Sequence, residues 1–154
     1  KMLALLGVFS GTLSILGSTT IVVKVVRNRH KAGPYDRLLL GLSCCDIVAS
    51  FGYMMAPFFL PRSSSQRVWA IGTDGTCTFH GWLTQFSFAA VVYNGLLSFY
   101  YLLTVRFGVK REVFARRYEP WMHICTLAFF IGTATMGAAI GLFNELELGF
   151  GCWA

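Results

Sequence analysis

Charge is what this sequence is short of. Asp, Glu, Lys and Arg make up 13% of its 154 residues, against about 25% in an ordinary soluble domain. Acidic residues are scarcer still, seven against 13 basic ones. Histidine occurs three times: His30 in a polar connector, and His80 and His123 each near the start of an apolar segment, the third and the fourth, which places them near opposite faces of a membrane. Two histidines so placed cannot share a haem or a metal ion. No Ser, His and Asp set suits hydrolysis inside a membrane, and no nucleic-acid motif, internal repeat, low-complexity stretch or second domain is visible. The chain reads as neither an enzyme nor a metal or cofactor carrier.

What fills the space is apolar. Hydrophobic residues make up 55% of the chain and aromatic ones 16%. They fall into four blocks, roughly 2–26, 38–60, 77–107 and 121–143, each longer than the ~20 residues that cross a hydrocarbon layer. A soluble bundle would carry a polar face at helical period, and these blocks are apolar almost all round. The first block could be a cleaved signal peptide, since Lys1 precedes it and Gly17 and Ser18 are small. It continues through Ile21–Val26 into a basic loop, which favours a retained helix. The expected fold is an all-α membrane domain over residues 1–154 with four transmembrane helices.

Lys and Arg orient the helices, because basic residues of short loops stay on the cytoplasmic side. The first connector carries Arg27, Arg29, Lys31 and Arg37, and the third Arg106, Lys110, Arg111, Arg116 and Arg117. The second has only Arg62 and Arg67, and the tail has Glu145 and Glu147 and no cation. Both termini are therefore expected outside. Topology and anionic lipid account for the net charge of +6 without nucleic acid. Lys24 lies one turn from the inner loop and can snorkel.

The five cysteines divide by this topology. Cys44, Cys45 and Cys125 fall within the helices, where a thiol packs as a small apolar group. Cys77 and Cys152 face the outer, oxidising side, and a disulfide between them is expected, with free or intermolecular thiols as the alternative. Gly33 with Pro34, and Pro61 with Ser63 to Ser65, punctuate the loops, and Pro120 suits a helix start. Pro57 should kink the outer end of the second helix. Gly137 and Gly141, four apart, suit close helix packing.

One acid stands out. Asp46 lies within Leu38–Leu60, a run with no basic residue. A carboxylate there is costly when charged, so it should face the bundle interior and take hydrogen bonds, bind a cation or stay protonated. Asn94 and Ser98, four apart on one helix face, are candidate neighbours.

The segments "LSILGSTTIVVKVV", "RLLLGLSCCDIVASF", "GTCTFHGWLTQFSFAAVVYNGLLSFYYLLTVRFG", "EPWMHI" and "GFGCW" together resemble the first four helices of a seven-helix G protein-coupled receptor. The nearest flavour is the receptor-like proteins of unicellular algae, close to the cyclic-AMP-receptor-like and rhodopsin-like groups. Leu42 and Asp46 are similar to the second-helix pattern of rhodopsin-like receptors, and Cys77 and Cys152 match the bridge that the family carries. The resemblance implies a truncated chain, starting at Lys1 and stopping at Ala154 partway through an outer loop, with three helices missing.

It also implies roles. Asp46, with Asn94 and Ser98, would form an activation switch with a sodium ion as its one candidate cofactor; the open alternative is a structural hydrogen-bond hub. His80, Trp82, Thr84, Gln85 and Phe88 would line part of a pocket for an unknown extracellular ligand, though aromatic residues there also serve packing. With no Asp or Glu between Cys77 and Arg106, an amine held by a third-helix carboxylate is disfavoured. Arg106, Lys110 and Arg111 would face a heterotrimeric G protein. Arg106 lacks the usual acidic neighbour and comes about one turn late, so a topological anchor fits it equally. The implied protein is a multi-pass receptor of the plasma membrane. The rival classes are a small transporter or channel using Asp46 with Asn94 and Tyr93, and a tetraspan adaptor, which needs no buried acid.

Overall fold

The computed structural model describes residues 2–61, 71–145 and 152–153. In chain order the elements are α1 (Met2–Arg27), a 3-10 turn (Arg29–Lys31), α2 (Pro34–Phe59), α3 (Asp74–Thr84), α4 (Phe86–Tyr101), a π-helical segment (Leu102–Arg106), α5 (Arg111–Arg117), α6 (Glu119–Ala139), and two short strands, β1 (Asn144–Glu145) and β2 (Cys152–Trp153). They make four spans long and apolar enough to cross a membrane: Leu6–Arg27, Pro34–Phe59, Asp74–Arg106 and Arg111–Ala139. The expectations for Arg62, Ser63 to Ser65, Arg67 and Glu147 fall outside the described residues.

Three boundaries differ from the sequence expectation, each for a local reason. The second span begins at Pro34 rather than near Leu38, because Pro34 opens the helix and the Asp36 carboxylate accepts the Gly33 N–H at 2.8 Å. The third begins at Asp74 rather than Cys77, because Thr73 and Thr76 exchange hydrogen bonds at its start. The fourth runs from Arg111 to Ala139 rather than 121–143. It gains the α5 turns below Pro120, which sits in the first turn of α6 as expected. It ends early because Gly141, at φ +67°, reverses the chain and lets the Leu142 N–H reach the Gly137 carbonyl at 2.9 Å. Gly141 thus terminates the helix instead of packing it against a neighbour, and Gly137 makes room for the Phe143 ring.

The third span is one rod with an irregularity at Gln85, whose backbone stays helical. Just before it, Thr84 Oγ1 donates to the carbonyls of His80 and Gly81, a local bond that competes with the helix ladder. Gly108, at φ +63°, turns the chain after the π-helical segment.

α2 is the central element. It packs along α1 on one side and against α3, α4 and α6 on the other. The core joins Leu38, Cys45 and Ala49 of α2 to Phe86, Ala89, Tyr93 and Tyr100 of α4, Phe114 of α5 and Phe130 of α6. On α2 and α4 these positions recur at three, four or seven residues, the spacing of one helix face. An Arg37–Glu119 pair ties one end of the bundle, and a Cys77–Cys152 disulfide ties the other.

Candidate functional site

Asp46 is half-buried between α1 and α2. Ser14 Oγ donates to Asp46 Oδ2 at 2.7 Å and Ser18 Oγ donates to the same oxygen at 2.5 Å. Two hydroxyl donors from α1 on one carboxyl oxygen of α2 pin the two helices together. The expected neighbours sit elsewhere: Asn94 and Ser98 are exposed, and Ser98 Oγ donates to the Asn94 carbonyl of its own helix at 3.1 Å. The reason is helical phase. Cys45 and Ala49 point at α4, so Asp46, one residue round from Cys45, turns about 100° away toward α1. On α4 the buried face carries Tyr93 and Tyr100, which places Asn94 and Ser98 off it. The signal for the true partners was present in the sequence, since Ser14 and Ser18 are four apart and share one face of the first helix.

Between α4 and α6, the buried Tyr93 hydroxyl lies 2.9 Å from His123 Nδ1. The Tyr93 ring fits because position 41 is glycine; a Cβ there would stand 2.7 Å from Tyr93 Cε1. Asp46 faces α1, so Tyr93, Asn94 and Asp46 do not line one path.

At the end of the bundle where α3 begins, the disulfide places Cys77 and Cys152 with Cα atoms 5.3 Å apart, the expected bridge. It holds β2 over α3. There the Cys152 N–H donates to His80 Nδ1 at 3.2 Å, and His80 is buried. Trp153 rests against Phe88 and Phe143, with centroids 5.3 and 6.3 Å away. The five pocket candidates therefore face three neighbours rather than one. His80 and Phe88 meet the tail. Trp82 Nε1 donates to Thr135 Oγ1 at 3.5 Å, and Gln85 Nε2 to Thr133 Oγ1 at 3.3 Å, both on α6. Thr84 is buried and bonds its own helix.

At the opposite end of the bundle, Arg106, Lys110 and Arg111 are all exposed. The structured feature there is one that counting loop charges missed. Arg37 donates through Nε and Nη2 to the two oxygens of Glu119, the second contact at 2.8 Å, and through Nη1 to the Ala32 carbonyl at 3.1 Å. This fork joins the first connector, the start of α2 and the start of α6.

No protein-family model, curated protein or solved structure matches the chain.

Proposed function

We propose that the chain is the first four helices of a seven-helix receptor, which binds an extracellular ligand and passes a conformational change to a cytoplasmic G protein. The observation that carries this reading is the bridge from Cys77, at the outer end of the third span, to Cys152 beyond the fourth. It folds β2, with Trp153, back over the outer half of that span beside His80 and Phe88. Covalent attachment of an outer segment at that point gives a ligand a fixed surface to press against. A contact made there shifts the bundle only through differential affinity for its two states. Asp46 suits a switch, because its two hydroxyl donors hold it at the α1–α2 seam, where a small helix rotation changes its hydration. The exposed Arg106, Lys110 and Arg111 form the side offered to the G protein.

The transport reading has less behind it. Asp46 is paired with serines and with no second intramembrane charge among the described residues, whereas transport paths commonly string several charges or broken helices together.

The test is the transcript. Three further apolar segments after Ala154, with a basic connector following the fifth helix, are the expected result. A stop codon soon after Ala154 would overturn the receptor reading. With the full chain in hand, Asp46→Asn should change the sodium sensitivity of ligand binding; in a transporter the same change would abolish flux.

A further inference from the structure

The Arg37–Glu119 fork has a consequence for its neighbours. Its guanidinium bonds the carbonyl of Ala32, which directly follows Lys31, and the carboxylate of Glu119, which stands two residues after Arg117. Successive Cα atoms are about 3.8 Å apart, so the fork draws two basic segments together. These are Arg29 to Lys31 of the first connector and Arg116 with Arg117 at the end of α5. All four side chains, Arg29, Lys31, Arg116 and Arg117, are exposed, and among the described residues the only ion pair is the fork itself. The acids nearby do not neutralise them. Glu119 is taken by Arg37, the Asp36 carboxylate accepts the Gly33 N–H, and Glu112 is one exposed charge against four. Like charges gathered this way repel unless an anion sits among them, and arginine pairs favour phosphate because the guanidinium fork matches its oxygens.

The position of the cluster selects the kind of phosphate. Trp121, two residues beyond Glu119, is 67% exposed, and Tyr35, beside Pro34, is also exposed. Exposed aromatic side chains at the end of an apolar span mark the membrane–water interface. Arg116 and Arg117 precede Trp121 by about one helical turn, which puts them ~6–8 Å beyond it along the axis. That is past the ester region and level with a headgroup that projects from the surface.

We propose that Arg29, Lys31, Arg116 and Arg117, gathered by the Arg37–Glu119 pair, form a binding site for a membrane lipid with a multiply phosphorylated headgroup. The site lies on the perimeter formed by the first connector and the fourth span, and it does not depend on whether the chain signals to a G protein.

The experiment uses the full chain in nanodiscs of phosphatidylcholine containing either a bisphosphorylated phosphoinositide or phosphatidylserine at matched total charge, with retained lipid counted by native mass spectrometry. The phosphoinositide should be retained in preference to phosphatidylserine. Arg29→Gln with Lys31→Gln, and separately Arg116→Gln with Arg117→Gln, should each weaken retention by about fivefold per charge removed. Arg106→Gln with Lys110→Gln, at the third span, should leave retention unchanged. These residues are exposed, so the variants keep the fold. Equal retention of phosphatidylserine, or an equal loss in the Arg106 and Lys110 variant, would make the attraction a diffuse field and overturn the site. Binding of free inositol polyphosphate to the detergent-solubilised chain as tight as that of the lipid would also overturn it, in favour of a soluble anion.

Discussion

Arg37 and Glu119, 82 residues apart in the chain, meet at the end of the bundle where α2 and α6 begin, and both oxygens of the carboxylate are engaged by one guanidinium. Glu119 is 5% exposed, while the Arg37 side chain is 42% exposed. The two substitutions are therefore unequal. Removing Arg37 strands a buried carboxylate, and Arg37→Gln is expected to cost about 2–4 kcal/mol. Glu119→Gln leaves the arginine able to turn toward solvent, and should cost about 1–2 kcal/mol. Thermal unfolding of the detergent-solubilised protein checks the order, and a larger loss for Glu119→Gln would contradict it.

The Tyr93 ring occupies space that only glycine at position 41 leaves open. Gly41→Ala is expected to displace the ring, break the Tyr93–His123 bond and cost about 1–3 kcal/mol. Gly132→Ala, in α6 with nothing within 4 Å of the added carbon, is the control and should be neutral or slightly stabilising. Tyr93→Phe should lose only the hydrogen bond, about 1 kcal/mol. Melting temperatures falling in the order Tyr93→Phe then Gly41→Ala would fit; equal effects of Gly41→Ala and Gly132→Ala would not.

The sequence exposed the features that depend on composition, and it hid those that depend on helical phase. The four spans were readable because twenty or more apolar residues in a row have one good solution in a bilayer. The Cys77–Cys152 bridge was readable because only two cysteines fell on the outer side. Asp46 was readable as an oddity, but its partners were not. A block apolar all round gives no moment from which to tell which face meets which helix, so the pattern alone does not separate α1 from α4 as the neighbour of Asp46. The Arg37–Glu119 pair was hidden for a related reason. By sequence Arg37 reads as a loop cation, because nothing in the local pattern says that the second helix starts at Pro34 and brings Arg37 against the start of α6.

The disulfide closes a loop between residues 75 apart. For a soluble chain of that loop length the entropic contribution is about 4 kcal/mol; helices that stay inserted when packing is lost make this an upper bound. Reduction, or Cys77→Ser, should lower the thermal midpoint and free β2 from α3. Trp153 fluorescence then checks the mechanism, since separation from Phe88 and Phe143 should red-shift its emission, while an unchanged spectrum on reduction would show that β2 stays docked without the bridge.

Two serine environments on the α1–α2 pair make opposite demands. Ser43 Oγ is fully buried and has no hydrogen-bond partner, so its hydroxyl was stripped of water with nothing in return. Ser18 Oγ donates to Asp46 Oδ2 at 2.5 Å, a hydrogen bond across the seam between α1 and α2. Ser43→Ala should therefore be neutral or stabilising by up to about 1 kcal/mol, and Ser18→Ala destabilising by about 1–3 kcal/mol. Asp46→Asn should fall between them, because its amide oxygen can still accept from Ser14 and Ser18 while the second oxygen is replaced by an amide nitrogen. Adding Ser18→Ala to Asp46→Leu should cost little more, since the acceptor is already gone, and that double-mutant cycle separates the bond from the packing of the hydroxyl. If Ser18→Ala costs the same with and without the carboxylate, the serine acts through packing alone and the α1–α2 seam is not held by Asp46.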